Sequence, residues 1–226
     1  MLKAKLTAVK GDRTCAICVC EKSPSGDLPD GFEPYDIEIP DEPLLLRQVH
    51  GGTVHYIDSI KVAEETRGAF GDGLIVTEWG IPIGISTADC IPIVITDSKE
   101  RCIAVVHCGW KPVAAGIIEN AMSLILNNTD ILPEDLSCVM GPGILGEEYE
   151  VGRDVADRFP DSVKKIDNGK YLFDLPAEIG ARLKKFGLPE SAIKYPTVST
   201  YSEEWLPSYR REGENAERFL TLAWLT

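Results

Sequence analysis

Histidine is scarce in this chain: His50, His55 and His107 are the three in 226 residues. Any site built from imidazole draws on those positions alone. Basic charge is also in short supply, with 23 Lys and Arg against 36 Asp and Glu, for a formal net charge of -13. A field of that sign repels nucleic acid and anionic membrane, so a small molecule is the expected partner. An anionic one would need a local cluster of Lys or Arg. No run approaches the roughly 18 consecutive apolar residues of a membrane span. The first residues, MLKAKLTAVKGDR, carry charge where a signal peptide needs an apolar core, so an unexported, cytoplasmic protein is expected. The seven cysteines are odd in number and follow no even framework of spacings, which argues against disulfide stapling and for reduced thiols. Internal repeats, low-complexity tracts and linkers are absent, and residues 1–226 read as a single domain.

Short Val- and Ile-rich runs alternate with turn signals between Leu44 and His107: LLLRQVH, GLIVTE, IPIGIS, IPIVIT and RCIAVVH. They predict five closely spaced strands of one sheet, several apolar on both faces. Helical spacing follows from Pro112 to about Asn127, with Val113, Ile117, Ile118, Met122, Leu124 and Ile125 on its apolar face. Further helices are expected near Gly152–Phe159 and from a cap at Asp174 to a stop at Gly187. ERFLTLAWLT reads as a closing strand. Strand clusters followed by helices, without strict alternation, predict an α+β fold, a layered sandwich of mixed β-sheets with flanking helices. The Pro-rich segment from Glu21 to Pro43 is expected to be a surface loop.

Three metal-capable side chains occupy equivalent places in this pattern. His50 ends an apolar run before Gly51-Gly52, Cys90 stands at the turn between two apolar strands, and His107 ends another strand. Strand ends of one sheet converge on one rim, and two imidazoles with one thiolate form an open three-ligand shell suited to catalytic zinc. The same residues suit a metal-free thiol hydrolase, with Cys90 as nucleophile and His107 as base. Spacing alone leaves both readings open, beside a purely structural one.

The segments RQVHGGTV, STADCIPIVI, VVHCGWKP, GPGI followed by YEVG, and PSYRREG occur in that order, and together they resemble the YfiH-like family, first called multicopper polyphenol oxidases or laccase-domain proteins and now regarded as purine nucleoside phosphorylases with adenosine deaminase activity. The resemblance implies zinc on His50, Cys90 and His107, and a purine nucleoside (adenosine, inosine, S-methyl-5'-thioadenosine) and phosphate as partners. Copper is the older assignment, and three histidines are too few for a multicopper cluster. Four departures stand out. Cys108 replaces Ala, Lys111-Pro112 replaces Arg-Gly, Ser199-Thr200 replaces Cys-Thr, and Ala216-Glu217-Arg218 replaces Thr-Gly-Arg.

The basic residues within these motifs, Arg47, Lys111, Arg210 and Arg211, are the candidate phosphate ligands, helped by the helix start near Lys111. Asp89, beside Cys90, is a candidate to orient a histidine or to serve as general acid or base. Cys15, Cys18 and Cys20 in TCAICVC are expected to be packing residues, as is Cys102. Cys108 is a weaker candidate for the site, and His55 is expected to be an ordinary strand histidine.

Overall fold

The computed structural model describes the backbone of residues 9–10 and 14–19 and the whole of residues 41–226. The chain forms β1 (Val9–Lys10), β2 (Thr14–Val19), β3 (Leu44–Leu45), β4 (Val54–Ile57), α1 (Ile60–Thr66), β5 (Gly73–Val76), β6 (Ile83–Thr87), β7 (Ile91–Asp97) and β8 (Ile103–Cys108). Then come α2 (Trp110–Ala114), α3 (Ile117–Asn128), β9 (Leu136–Met140), β10 (Glu150–Val151), α4 (Arg153–Ala156), β11 (Val163–Lys165) and β12 (Tyr171–Phe173). The last elements are α5 (Leu175–Lys185), β13 (Ile193–Lys194), α6 (Tyr209–Glu212) and β14 (Phe219–Leu225).

A six-stranded mixed sheet, β13-β9-β7-β8-β5-β4, is the middle layer. Side chains alternate across a strand, so β7 and β8 offer two apolar faces. Ile91, Ile93 and Ile95 with Ala104, Val106 and Cys108 meet Val113, Ile117, Met122, Ile179 and Leu183 of the helices. Val94, Ile103 and Val105, with Leu74 and Val76 of β5, meet Leu44, Ile83, Ile85, Ala223 and Leu225 of a five-stranded sheet, β1-β2-β14-β6-β3. Burial on both faces is why these strands read as continuous apolar runs. Each such Val, Leu or Ile stabilises the fold by about 1.5–3 kcal/mol. A small antiparallel sheet, β10-β12-β11, stands apart. The layered α+β expectation holds.

Several local expectations need correction. The five runs enter two sheets: β6 pairs with β14 and β3, whereas β8 pairs with both β5 and β7. LLLRQVH is a strand only at Leu44–Leu45, because the chain then turns, and His50 takes a left-handed φ of 58°. The helix foreseen over Pro112–Asn127 is two helices, interrupted where Gly116 adopts φ 80°. The one near Gly152 is a single turn at Arg153–Ala156. The helix capped by Asp174 matches: its carboxylate accepts from the Ala177 amide, and Gly187 at φ 101° stops it. The closing strand also matches, as β14, which lies at the centre of its sheet. The Pro-rich loop up to residue 40 and the side chains of Cys15, Cys18 and Cys20 lie outside the described residues.

Candidate metal centre

The period of two that builds the space between the sheets also builds the site. His107 continues the face of Ile103 and Val105, Asp72 that of Leu74 and Val76, and Thr87 that of Ile83 and Ile85. Apolar packing therefore gives way, at one end of the inter-sheet layer, to an imidazole, a carboxylate and a hydroxyl. The pairs Ile91–Cys108 and Pro92–His107 bring Cys90 opposite Gly109. A Cβ on Gly109 would stand 2.5 Å from the Cys90 sulfur, so this position has room only for glycine. His50 arrives from the turn after β3.

One donor atom from each of His50, Cys90 and His107 lies within 4.8 Å of the others. The two rings meet edge to face, centroids 4.8 Å apart. Tetrahedral zinc with N and S ligands needs donor separations of about 3.3–3.7 Å, so a modest closing lets one ion span all three.

Asp72, fully buried, organises this group. One carboxylate oxygen accepts hydrogen bonds from His107 Nδ1–H at 2.8 Å and from the His50 amide at 2.9 Å. The other accepts from the amides of Gly51 at 2.8 Å and Val49 at 3.2 Å. A carboxylate can only accept, so Nδ1 carries a proton and Nε2 faces the centre. Burial would lower the basicity of His107, but its bonds to Asp72 and Cys90 raise it to about 9. Burial would push the Cys90 thiol up, but bonds from His107 and His50 and their charge bring it down to about 7. The thiolate, the metal-binding form, is thus accessible at neutral pH. The donor set fits zinc.

The centre opens on a cavity of about 670 Å³ whose wall includes Gln48, Ser86, Thr87, Asp89, Trp110, Lys111, Ile144, Tyr149, Tyr209, Arg210 and Arg218. That volume suits a small organic substrate. Three cations stand over aromatic rings there: Lys111 at 5.6 Å from Trp110, Arg210 at 5.4 Å from Tyr149 and Arg218 at 5.7 Å from Tyr209. A second cavity, of about 680 Å³, has Glu147, Glu148, Asp161, Asp174 and Glu203 against Lys164, a wall that repels anions. Size does not separate the two; chemistry does.

The other anticipated residues divide. Lys111 and Arg210 reach the cavity; Arg47 and Arg211 do not. Arg47 lies exposed, 5.8 Å from the Phe70 ring. Arg211 is spent on internal bonds to the carbonyls of Thr200 and Tyr201, both at 2.8 Å, and on Glu212 at 2.7 Å. The α2 turn holding Lys111 is five residues long, not the start of the long helix foreseen. Asp89 touches neither histidine. Its oxygens accept from Thr200 Oγ1 at 2.7 Å and the Arg210 amide at 2.6 Å, so it braces the turn, at φ 80°, that presents Cys90. The orienting carboxylate is Asp72, which sequence reading missed although it directly precedes an apolar strand. Arg218, Gln48 and the aromatic residues were missed as well. Cys102 and Cys108 are buried core residues, and His55 turns its Nε2 to the Phe70 carbonyl at 3.0 Å.

A family model described as multi-copper polyphenol oxidoreductase laccase matches residues 35–226. The chain belongs to this family. A Bacteroides thetaiotaomicron relative named purine nucleoside phosphorylase is 31% identical over 160 residues, 66% of this chain and 59% of that protein. A Corynebacterium glutamicum protein of the same name is 28% identical over 190 residues, 82% and 75% of the two chains. The fold is shared with the crystal structure of Bacillus licheniformis hypothetical protein YfiH, with a TM-score of 0.81 at 19% identity over 94% of this chain and 93% of that one. Among the described residues no helix is long and apolar enough to cross a membrane.

Proposed function

We propose that this chain is a zinc-dependent purine nucleoside phosphorylase, acting through one catalytic domain on adenosine, inosine and S-methyl-5'-thioadenosine, with adenosine deaminase as a side activity. The observation that carries this reading is a single cavity in which the His50, Cys90 and His107 donors share a wall with cations and aromatic faces. The names of the relatives support the same reading.

Phosphorolysis breaks the bond between the anomeric carbon and the purine nitrogen and joins a phosphate oxygen to that carbon. Trp110 and Tyr209 provide ring surface against which a purine packs, whereas Tyr149 is already stacked on Phe173 and carries Arg210. Lys111 and Arg210 hold phosphate in place, which converts attack on the anomeric carbon into a positioned, effectively unimolecular event. Zinc held by His50, Cys90 and His107 would supply the Lewis acidity that activates water, the property deamination requires. Asp72 keeps His107 oriented, and Asp89 keeps Cys90 presented.

Zinc-loaded protein is expected to release hypoxanthine from inosine only with phosphate, yielding ribose 1-phosphate, and to release ammonia from adenosine without phosphate. Hypoxanthine release at an equal rate without phosphate, with free ribose as product, would make the enzyme a hydrolase. A second reading, copper-dependent polyphenol oxidation, is favoured by the family description and by a His-Cys-His donor set that also suits copper. Met140 is buried in the core on the helix side of the sheet, so it brings no thioether to the cavity. Oxygen uptake with a phenol by copper-loaded protein, and no phosphorolysis by zinc-loaded protein, would establish that reading. Activity that survives complete chelation would instead favour a Cys90–His107 hydrolase.

A further inference from the structure

The cavity wall carries Lys111, Arg210 and Arg218 and, against them, one carboxylate, Asp89. Both Asp89 oxygens are already occupied, by Thr200 and by the Arg210 amide. None of the three cations forms an ion pair among the described residues, although Arg182, Arg211 and Lys170 elsewhere do. On a chain with net charge -13, an unpaired trio at one wall concentrates positive potential where an anionic substrate must sit.

Arg218 is the best prepared of the three. Its NH1 donates to the carbonyls of Ala216 at 2.8 Å and Glu217 at 3.1 Å, and its guanidinium lies over Tyr209. These contacts fix the plane of the fork and leave its other edge without a protein partner among the described residues. Fixing a fork beforehand reduces the entropy lost when it binds a phosphate through two parallel bonds. The strand register carries the same residue to the centre. Phe219 pairs with Thr87, so Arg218 lies beside the Thr87–Cys90 segment that leads to the triad. Thr87, 1% exposed, carries a buried hydroxyl with no hydrogen-bond partner among the described residues, an unused donor in the wall of the same cavity.

We propose that Arg218, rather than Arg47 or Arg211, completes with Lys111 and Arg210 the subsite that holds the phosphate co-substrate. The inference rests on the phosphorolytic reading, which it refines to particular residues. Lysine where the family resemblance leads one to expect arginine leaves Arg210 and Arg218 as the planar forks of the wall, both anchored through NH1 to backbone carbonyls, Arg210 to Glu150 at 2.9 Å.

The test uses zinc-loaded full-length protein. Inorganic phosphate is titrated calorimetrically in chloride buffer, with and without hypoxanthine, a product base that fills the base site without reacting. The KM values for phosphate and inosine are then measured separately. Arg218→Gln is expected to weaken phosphate binding about tenfold to a hundredfold while the inosine KM stays within about threefold. Arg218→Lys should fall between Arg218→Gln and wild type, because the charge survives without the fork. Arg47→Gln should leave phosphate affinity unchanged. The proposal is overturned if Arg218→Gln binds phosphate as tightly as wild type, or if it loses inosine and phosphate affinity equally. If wild type binds phosphate, Arg218→Gln does not, and neither releases hypoxanthine, the subsite stands and the phosphorylase reading falls.

Discussion

Replacing Asp72 by Asn tests the organisation of the centre with the loss of one charge and almost no change in volume. The carboxylate accepts four hydrogen bonds, two on each oxygen. An amide keeps one acceptor side and turns an N–H toward the other. If the oxygen stays on His107 and His50, the amides of Gly51 and Val49 lose their acceptor and face a donor. If the amide flips, its N–H faces Nδ1 of His107, which then shifts its own proton to Nε2, the nitrogen needed for metal. Hydrogen bonds to a charged acceptor contribute about 1.5–3 kcal/mol each, so losing two costs roughly 3 kcal/mol or more. For a chain of this size that is a drop in Tm of about 6–12 °C. Loss of an outer carboxylate partner weakens metal binding about tenfold to a hundredfold. Zinc affinity is measured by competition with a chromogenic chelator, and metal-free stability by thermal unfolding in the presence of EDTA. A Tm drop with zinc affinity within about threefold of wild type would mean that Asp72 only shapes the Val49–Gly51 turn. No change in either would refute the buried hydrogen-bond arrangement itself.

Two further outcomes follow from the packing and electrostatics. Gly109→Ala places a methyl group 2.5 Å from the Cys90 sulfur, so zinc affinity should fall at least tenfold, while the melting temperature of metal-free protein falls by only a few degrees; wild-type zinc affinity would show that the sulfur has room to move. Asp97, 1% exposed, is buried, which would raise its carboxyl pKa, but bonds from the Arg101 side chain and from the amides of Arg101, Cys102 and Lys99 hold it below the usual carboxylate value. Its folded pKa is depressed, so its stabilisation is complete above about pH 4, the unfolded value, and disappears as pH falls through the folded value. Asp97→Asn should therefore lower Tm by about 4–8 °C at pH 7 and flatten the acid limb of a Tm-against-pH curve, and an acid limb parallel to wild type would count against this account.

Local chemistry determined much of this protein before any tertiary contact. The apolar runs of β5 to β8, the helix capped by Asp174 and ended at Gly187, and the closing strand β14 follow from periodicity, side-chain caps and glycine conformations, which act over a few residues. The grouping of His50, Cys90 and His107 was legible because these residue types are scarce and stand close to strand ends, although His50 enters from a turn and not from the end of β3. Pairing was not legible: IPIGIS and IPIVIT look alike, yet one joins β14, which lies more than 130 residues further along the chain, and the other joins β8. Proximity of a charged residue to a motif likewise says nothing about where its side chain goes. Arg210 and Arg211 are neighbours, but one lines the cavity and the other binds carbonyls inside its own loop. Asp89 stands next to Cys90 in sequence, yet the histidine is oriented by Asp72, 35 residues before it, because β5 and β8 are adjacent strands and Asp72 and His107 extend the same face. The sequence by itself determined which atoms were available to bind a metal and an anion. Only the tertiary structure decided which of them meet, because strand pairing and the packing of two sheets are set by contacts between segments far apart in the chain.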